Sequence, residues 1–304
     1  MTSSARYRIT HQTRYQYSSP VAICQNQLRM MPRSFADLRS SVDCDFATAT
    51  IAPEPTAISE HEDYFGNRII SFAIETLHRE LVVTVRSEVS VHHQTVETAN
   101  TAWENVRDAI QSLQDRDWYQ AQEYLYDSPR IQRGEQFSAY ALESFSAGRD
   151  IVEANLELTQ RIHDDFRYDT TATHVGTPTE EAFTRRAGVC QDFAHIQIAC
   201  RRSIGLPARY VSGYLRTIPP EGQPRLIGAD ESHAWLACYA GESLGWLNLD
   251  PTNACLTNCN HVPICIGRDY SEVSPMRGVV LGGGTTKLQV NVDVEPIDIE
   301  SIAS

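Results

Sequence analysis

The chain has 304 residues, enough for about two domains, and its 41% hydrophobic and 21% charged residues are those of an ordinary globular protein. A formal net charge of −13 with no Lys/Arg cluster argues against nucleic acid or another polyanion as a partner. The N-terminus lacks the apolar core of a signal peptide, and no apolar run approaches the ~20 residues that span a bilayer, so a cytoplasmic protein without a membrane partner is expected. The eight cysteines, Cys24, Cys44, Cys190, Cys200, Cys238, Cys255, Cys259 and Cys265, are then expected as free thiols, each by default a small buried hydrophobe.

The first hundred residues alternate. Tyr7, Ile9, Tyr15 and Tyr17 occupy odd positions, with His11 and Thr13 between; Arg6, Arg8, Thr10, Gln12, Arg14 and Gln16 occupy the even ones. Period two marks a half-buried strand. Ile70, Phe72 and Ile74 alternate after a turn at Phe65-Gly66-Asn67, and Leu81-Val82-Val83-Thr84-Val85 and Val89-Ser90-Val91 continue the pattern. An antiparallel, sandwich-like β domain is expected over residues 1–98.

Helical spacing takes over near Asn100. Trp103, Val106, Ile110 and Leu113 step by three and four, and a short helix is expected around residues 137–145, stopped by Gly148. Residues 99–150 read as a helical connector. Asp150 and Glu153 then form a capping-box pattern ahead of Ile151, Ala154, Leu158, Ile162 and Phe166, one face of an amphipathic helix. In Thr177-Pro178-Thr179-Glu180 an N-cap is followed by a proline at the first helical position and an acid at the third, opening a short helix that ends near Arg185. Gly188-Val189-Cys190 leads into a further helix, with Phe193, Ile196, Cys200 and Ile204 on one face and Gly205 and Pro207 at its end. Strands follow at residues 208–215, 233–239 and 246–250, so residues 151–255 make an α+β core. Residues 256–304 supply a loop and, across Gly282-Gly283-Gly284, a closing β-hairpin packed on the preceding domains.

Three residues of the core carry chemistry. Cys190 opens its helix, where unpaired amides and the positive end of the dipole favour a thiolate. A tight hairpin centred on Gly241 and Glu242 would pair Ala237 with Trp246, Trp235 with Asn248 and His233 with Asp250. Residues directly opposite share a face with Cβ atoms roughly 5 Å apart, within hydrogen-bonding reach for an imidazole and a carboxylate. Cys190 is then the nucleophile, His233 the proton carrier and Asp250 the group that orients the ring. The Cys190 amide is a natural donor to the oxyanion, and the product is a thioester resolved by water or by an amine.

Other groups have simpler readings. Cys255, Cys259, His261 and Cys265 lack the paired knuckles of a structural zinc site and read as loop and strand thiols, so no metal is expected. Asp192 complements the helix dipole. Asp230 and Glu231 precede His233 and compete with Asp250 for the orienting role, but the hairpin favours Asp250. His92 and His93 end a strand and should be solvated; Trp235 and Trp246 should be core. No cofactor motif is present.

Four blocks in order, residues 186–195, residues 205–214, His233-Ala234-Trp235 and Asp250-Pro251-Thr252-Asn253, resemble the bacterial transglutaminase-like superfamily, a papain-like group. The first hundred residues resemble the N-terminal β region that accompanies this core. Gly267-Arg268-Asp269-Tyr270 and residues 274–278 are similar to its C-terminal part. The resemblance implies a papain-like α+β core with the cysteine helix packed on an antiparallel sheet, and Cys190, His233 and Asp250 as the triad. His195 fits the family pattern, in a structural hydrogen-bonding role. Calcium-dependent cross-linking is not implied: Gln191 stands where animal transglutaminases have tryptophan, and no acidic loop has calcium-binding spacing. A peptidase or amidase acting on a peptide or amide substrate is expected. An acyltransferase with an amine acceptor, and a non-catalytic binding module, are the alternatives.

Overall fold

The structure, a computed structural model, describes residues 2–96, 98–113, 118–218 and 230–297. Its first element, β1 (Thr2–Met31), is a single strand of 30 residues. The alternation read from the sequence buries Tyr7, Ile9, His11, Thr13 and Tyr17. After β2 (Phe35–Ala36) come β3 (Ser40–Ala52), β4 (Ala57–Glu62), β5 (Arg68–Ile74) and β6 (His78–Gln94). The first half of β1 pairs with β6 from Thr2↔Gln94 to Gln16↔Glu80, and the second half with β5 from Cys24↔Ile74 to Leu28↔Ile70. All of these strands belong to one curled antiparallel sheet. The expected sandwich-like layering is made by that one sheet. Val21, Leu28, Ile70 and Phe72 join Leu81, Val83 and Val85 in a common apolar cluster. The register of β1 on β6 shifts between Gln16 and Val21, the kind of irregularity that bends a strand.

The helical elements start with α1 (Trp103–Gln111) and α2 (Trp118–Ala121), followed by α3 (Glu135–Leu142) and α4 (Ile151–Asp165). Leu113 lies outside α1, 52% exposed, because the chain turns there through a positive φ of 58°. Asp150 caps α4, accepting from Val152 N at 2.8 Å and Glu153 N at 3.3 Å, and Ile151, Ala154, Leu158, Ile162 and Phe166 are all buried. After β7 (Arg167–Tyr168), α5 (Thr179–Arg185) begins one residue later than expected. Pro178 is its N-cap, and the Thr177 hydroxyl instead accepts from His174 N.

Then come β8 (Ala187–Gly188) and α6 (Cys190–Ser203). Residues 191–202 of α6 are buried on every side. A second antiparallel sheet contains β9 (Ala208–Leu215), β10 (Glu231–Tyr239), β11 (Trp246–Asp250), β12 (Cys255–Leu256) and β13 (His261–Gly267), in the order β12-β11-β10-β9-β13. Two arginines fasten α6 to this sheet. Arg201 donates to Tyr239 O at 2.7 Å and to Asn155, and Arg202 donates to Ala208 O at 2.9 Å and Arg268 O at 2.8 Å.

The chain then passes α7 (Tyr270–Val273) and returns to the first sheet as β14 (Met276–Gly282) and β15 (Thr286–Pro296). Here the closing hairpin gives way to another arrangement. β14 pairs with residues 21–28 of β1 and β15 with residues 7–17 of the same strand, both antiparallel. The glycine link stays on β1, with Ser19 N donating to Gly283 O and Gly283 N to Pro20 O. Gly282, Gly283 and Gly284 all have positive φ, and a Cβ on Gly282 would lie 2.5 Å from Pro20 O. The glycines therefore serve a local irregularity in one long partner strand; they do not reverse the chain.

Candidate active site

Cys190 is the first residue of α6, with Val189 as N-cap. Asp192 secures the turn: its Oδ2 accepts from Val189 N at 2.9 Å and from Thr173 Oγ1 at 2.6 Å. Cys190 is half-buried, and it stands near enough to the His233 ring to raise that imidazole.

His233 comes from β10 and Asp250 from the end of β11. Their strands pair Leu236 with Leu249, Ala237 with Asn248 and Tyr239 with Trp246. This register differs by two residues from the expected one, because the connection is longer than a two-residue turn. Ala240 N reaches Gly245 O, and Gly245 N reaches Gly241 O. A shift of two preserves the face. Asp250 thus lies one step beyond the Leu236–Leu249 pair, diagonal to His233, and His233 Nε2 is 2.7 Å from Asp250 Oδ2.

Five donors converge on that carboxylate. Thr252 N and Asn253 N approach Oδ1 at 2.9 and 3.3 Å; His233 Nε2, Asn253 Nδ2 and His261 Nε2 approach Oδ2 at 2.7, 2.6 and 3.0 Å. Burial would push Asp250 up, but the hydrogen bonds from His233, His261 and Asn253 hold it well below the usual carboxylate range. Burial would likewise lower His233, and the bonds to Asp250 and Cys190 overcome it, raising the imidazole from 6.5 to about 10.

His233, Asp250 and His261 also stand at metal-ligand spacing. The five donors already account for the lone-pair positions of the carboxylate, so the set fits a hydrogen-bonded anion better than a metal ligand. Two of the cysteines weighed with His261 have other partners. Cys259 Sγ is 3.2 Å from Ser3 Oγ, and Cys265 Sγ is 3.4 Å from Arg29 O.

Asp230 does not orient His233. Its two oxygens accept from Thr217 N and Val294 N, both at 2.7 Å, joining β15 to the start of β10. The side chain of Glu231 lies outside the described residues. His195 is buried, its Nε2 accepting from Tyr270 N at 3.2 Å, and burial pushes it down to about 3. His92 and His93 are half-buried rather than solvated; His92 Nε2 is 3.4 Å from Asp43. Trp235 and Trp246 are core residues. Sequence reasoning missed His261 and Asn253 as partners of Asp250. Asn253 had a signal, its place three residues after the aspartate; His261 had none.

The bacterial transglutaminase-like N-terminal region matches residues 7–90. The transglutaminase-like superfamily matches residues 138–251, a span that holds Cys190, His233 and Asp250. Proteins of Mycobacterium tuberculosis and Mycobacterium bovis, both described as uncharacterized, are each 36% identical over 99% of this chain and 96% of their own length. The chain belongs to the transglutaminase-like superfamily. An uncharacterized protein of Mycobacterium leprae is 30% identical over 95% of this chain and 98% of its own. Among solved structures, one titled "Putative Cysteine Protease from Cytophaga hutchinsonii" superposes with a TM-score of 0.74 at 19% identity, covering 99% of this chain and 93% of that one. At that identity it shares the fold.

Proposed function

We propose that this superfamily member is a cysteine-dependent hydrolase of amide or peptide bonds, with Cys190, His233 and Asp250 as its triad. One observation carries the reading: His233 Nε2 lies 2.7 Å from a buried carboxylate, and the same ring is raised by Cys190 beside it. At neutral pH the imidazole so placed holds the proton, and the Cys190 sulfur attacks the substrate carbonyl carbon as a thiolate. Electrons move onto the carbonyl oxygen. The first amides of α6, which have no intrahelical carbonyl to meet, are placed to receive that oxyanion. Collapse expels the amine, which takes the proton from His233 and leaves a Cys190 thioester. Water, deprotonated by His233, attacks the thioester; the acid departs and the sulfur is restored.

All eight cysteines are free.

Iodoacetamide at pH 7.5 is expected to modify Cys190 well ahead of the other thiols. Burial raises Cys238 and Cys255 to about 11 and Cys265 to about 12. At a value of 11 only about one thiol in 3,000 is ionised at this pH. Labelling of Cys190 at the pace of those thiols would defeat the reading. Small amide and peptide substrates, run against a Cys190→Ala control, complete the test. Release of acid at an unchanged rate with added amine is the hydrolase result; an amide product formed with the amine instead marks an acyltransferase.

A further inference from the structure

We propose that His261 of β13 is a positioning residue of this site, a donor that fixes Asp250 for His233. This rests on the triad reading above, with four observations of its own. His261 Nε2 lies 3.0 Å from Asp250 Oδ2, the same oxygen that His233 Nε2 engages at 2.7 Å. Asn258 N donates to His261 Nδ1 at 3.3 Å, so Nδ1 is the acceptor and the ring's single proton sits on Nε2, aimed at the carboxylate. The ring is 4% exposed and stands edge-on to Trp235, with centroids 5.4 Å apart and planes at 80°. Trp235 is itself buried and donates to Asn248 Oδ1, which leaves the His261 ring little room to turn. Finally, β13 is the edge strand three places from β11 in the sheet, so this contact joins parts of the core that do not pair as strands.

Two consequences follow from a neutral imidazole donating into an ionised carboxylate. The oxygen is held where His233 can bond it through Nε2 and still turn Nδ1 toward Cys190. The donated proton also draws charge from Oδ2 and moderates its pull on His233. The groups facing this cluster are His233 from β10, Asp250 from β11, Cys190 from α6, Cys255 from β12 and His93 from β6. None of them can replace the lost donor without moving. With His261→Phe, a ring of similar size without the N–H, Oδ2 pulls harder on His233 and its position is less fixed.

The test is the pH dependence of Cys190 alkylation by iodoacetamide in the full-length protein. His261→Phe is expected to slow alkylation about tenfold at pH 7.5. It should also move the upper inflection, where the imidazolium gives up its proton, higher by about one pH unit. His261→Gln, whose amide can donate from nearly the same place, should restore most of both. A slower reaction with an unmoved inflection, unrescued by Gln, would mean that His261 only packs and would overturn the proposal. Ring-15N spectra of the wild-type protein test it without any catalytic readout. A protonated Nε2 and a bare Nδ1 are expected; the opposite tautomer overturns it. The two readings fail separately: wild-type Cys190 labelled no faster than the other thiols defeats the hydrolase, whereas the nitrogen spectrum addresses His261 alone.

Discussion

Asp250→Asn removes one charge and keeps the shape. The carboxylate accepts five hydrogen bonds, whereas an amide offers one acceptor oxygen and two N–H groups of its own. Whichever way the Asn is turned, donors face donors on one side. The His233 imidazole then keeps its burial and loses its principal support. Its rise from 6.5 to about 10 is net of the burial that opposes it and corresponds to about 5 kcal/mol. If the loss of Asp250 returns His233 to its ordinary 6.5, only about one ring in ten keeps its proton at pH 7.5, and the charged Cys190–His233 pair becomes about tenfold rarer. The second-order rate of iodoacetamide labelling at Cys190, located by peptide mass spectrometry, should fall by about that factor. Thermal melting should show a cost of about 3–5 kcal/mol for breaking a buried ionic network. A folded Asp250→Asn protein that labels within twofold of wild type would refute the argument that the carboxylate holds the proton on His233.

Two further outcomes concern stability. His233 is raised in the folded state, so its contribution is fully present below about pH 6.5 and is lost as pH rises through about 10. Asp250 is lowered, so its contribution is present above about pH 3.8 and is lost as pH falls toward its folded value. The melting temperature of wild type should therefore decline relative to His233→Gln between pH 6.5 and 10; parallel curves would contradict this. Gly213→Ala should cost about 3 kcal/mol by denaturant titration, since its Cβ would lie 2.2 Å from Val262 O and 2.5 Å from the Trp235 ring. Unchanged stability would show that β9 and β13 can separate there at no cost.

Where a pattern is local, the sequence carried it. The Asp150 cap, the buried face of α4 and the cysteine at the head of α6 all depend on neighbours within a few residues. The meeting of Cys190, His233 and Asp250 also depended little on register, because an error of two residues leaves side chains on the same face. What could not be read depends on distant partners. Arg201 and Arg202 look like the polar end of a surface helix. They are buried because carbonyls of Tyr239, Ala208 and Arg268 receive their N–H groups. His261 sits among cysteines in the sequence, whereas in the fold its Nε2 meets Asp250, on a strand that does not pair with its own. Two apolar runs around a glycine cluster have the local pattern of a hairpin. Nothing local says that β1 is long enough to accept both runs end to end.

That long strand has a consequence for how the protein comes into being. During synthesis β14 and β15 emerge some 250 residues after β1. Until then Tyr7–Tyr17 and Val21–Leu28 present bare backbone amides and carbonyls along one side. The first sheet is thus incomplete until those strands arrive, and an excised piece covering residues 1–98 would carry an adhesive margin into solution. Residues 7–17 and 286–296, on either side of the transglutaminase-like core in sequence, are held together by backbone hydrogen bonds.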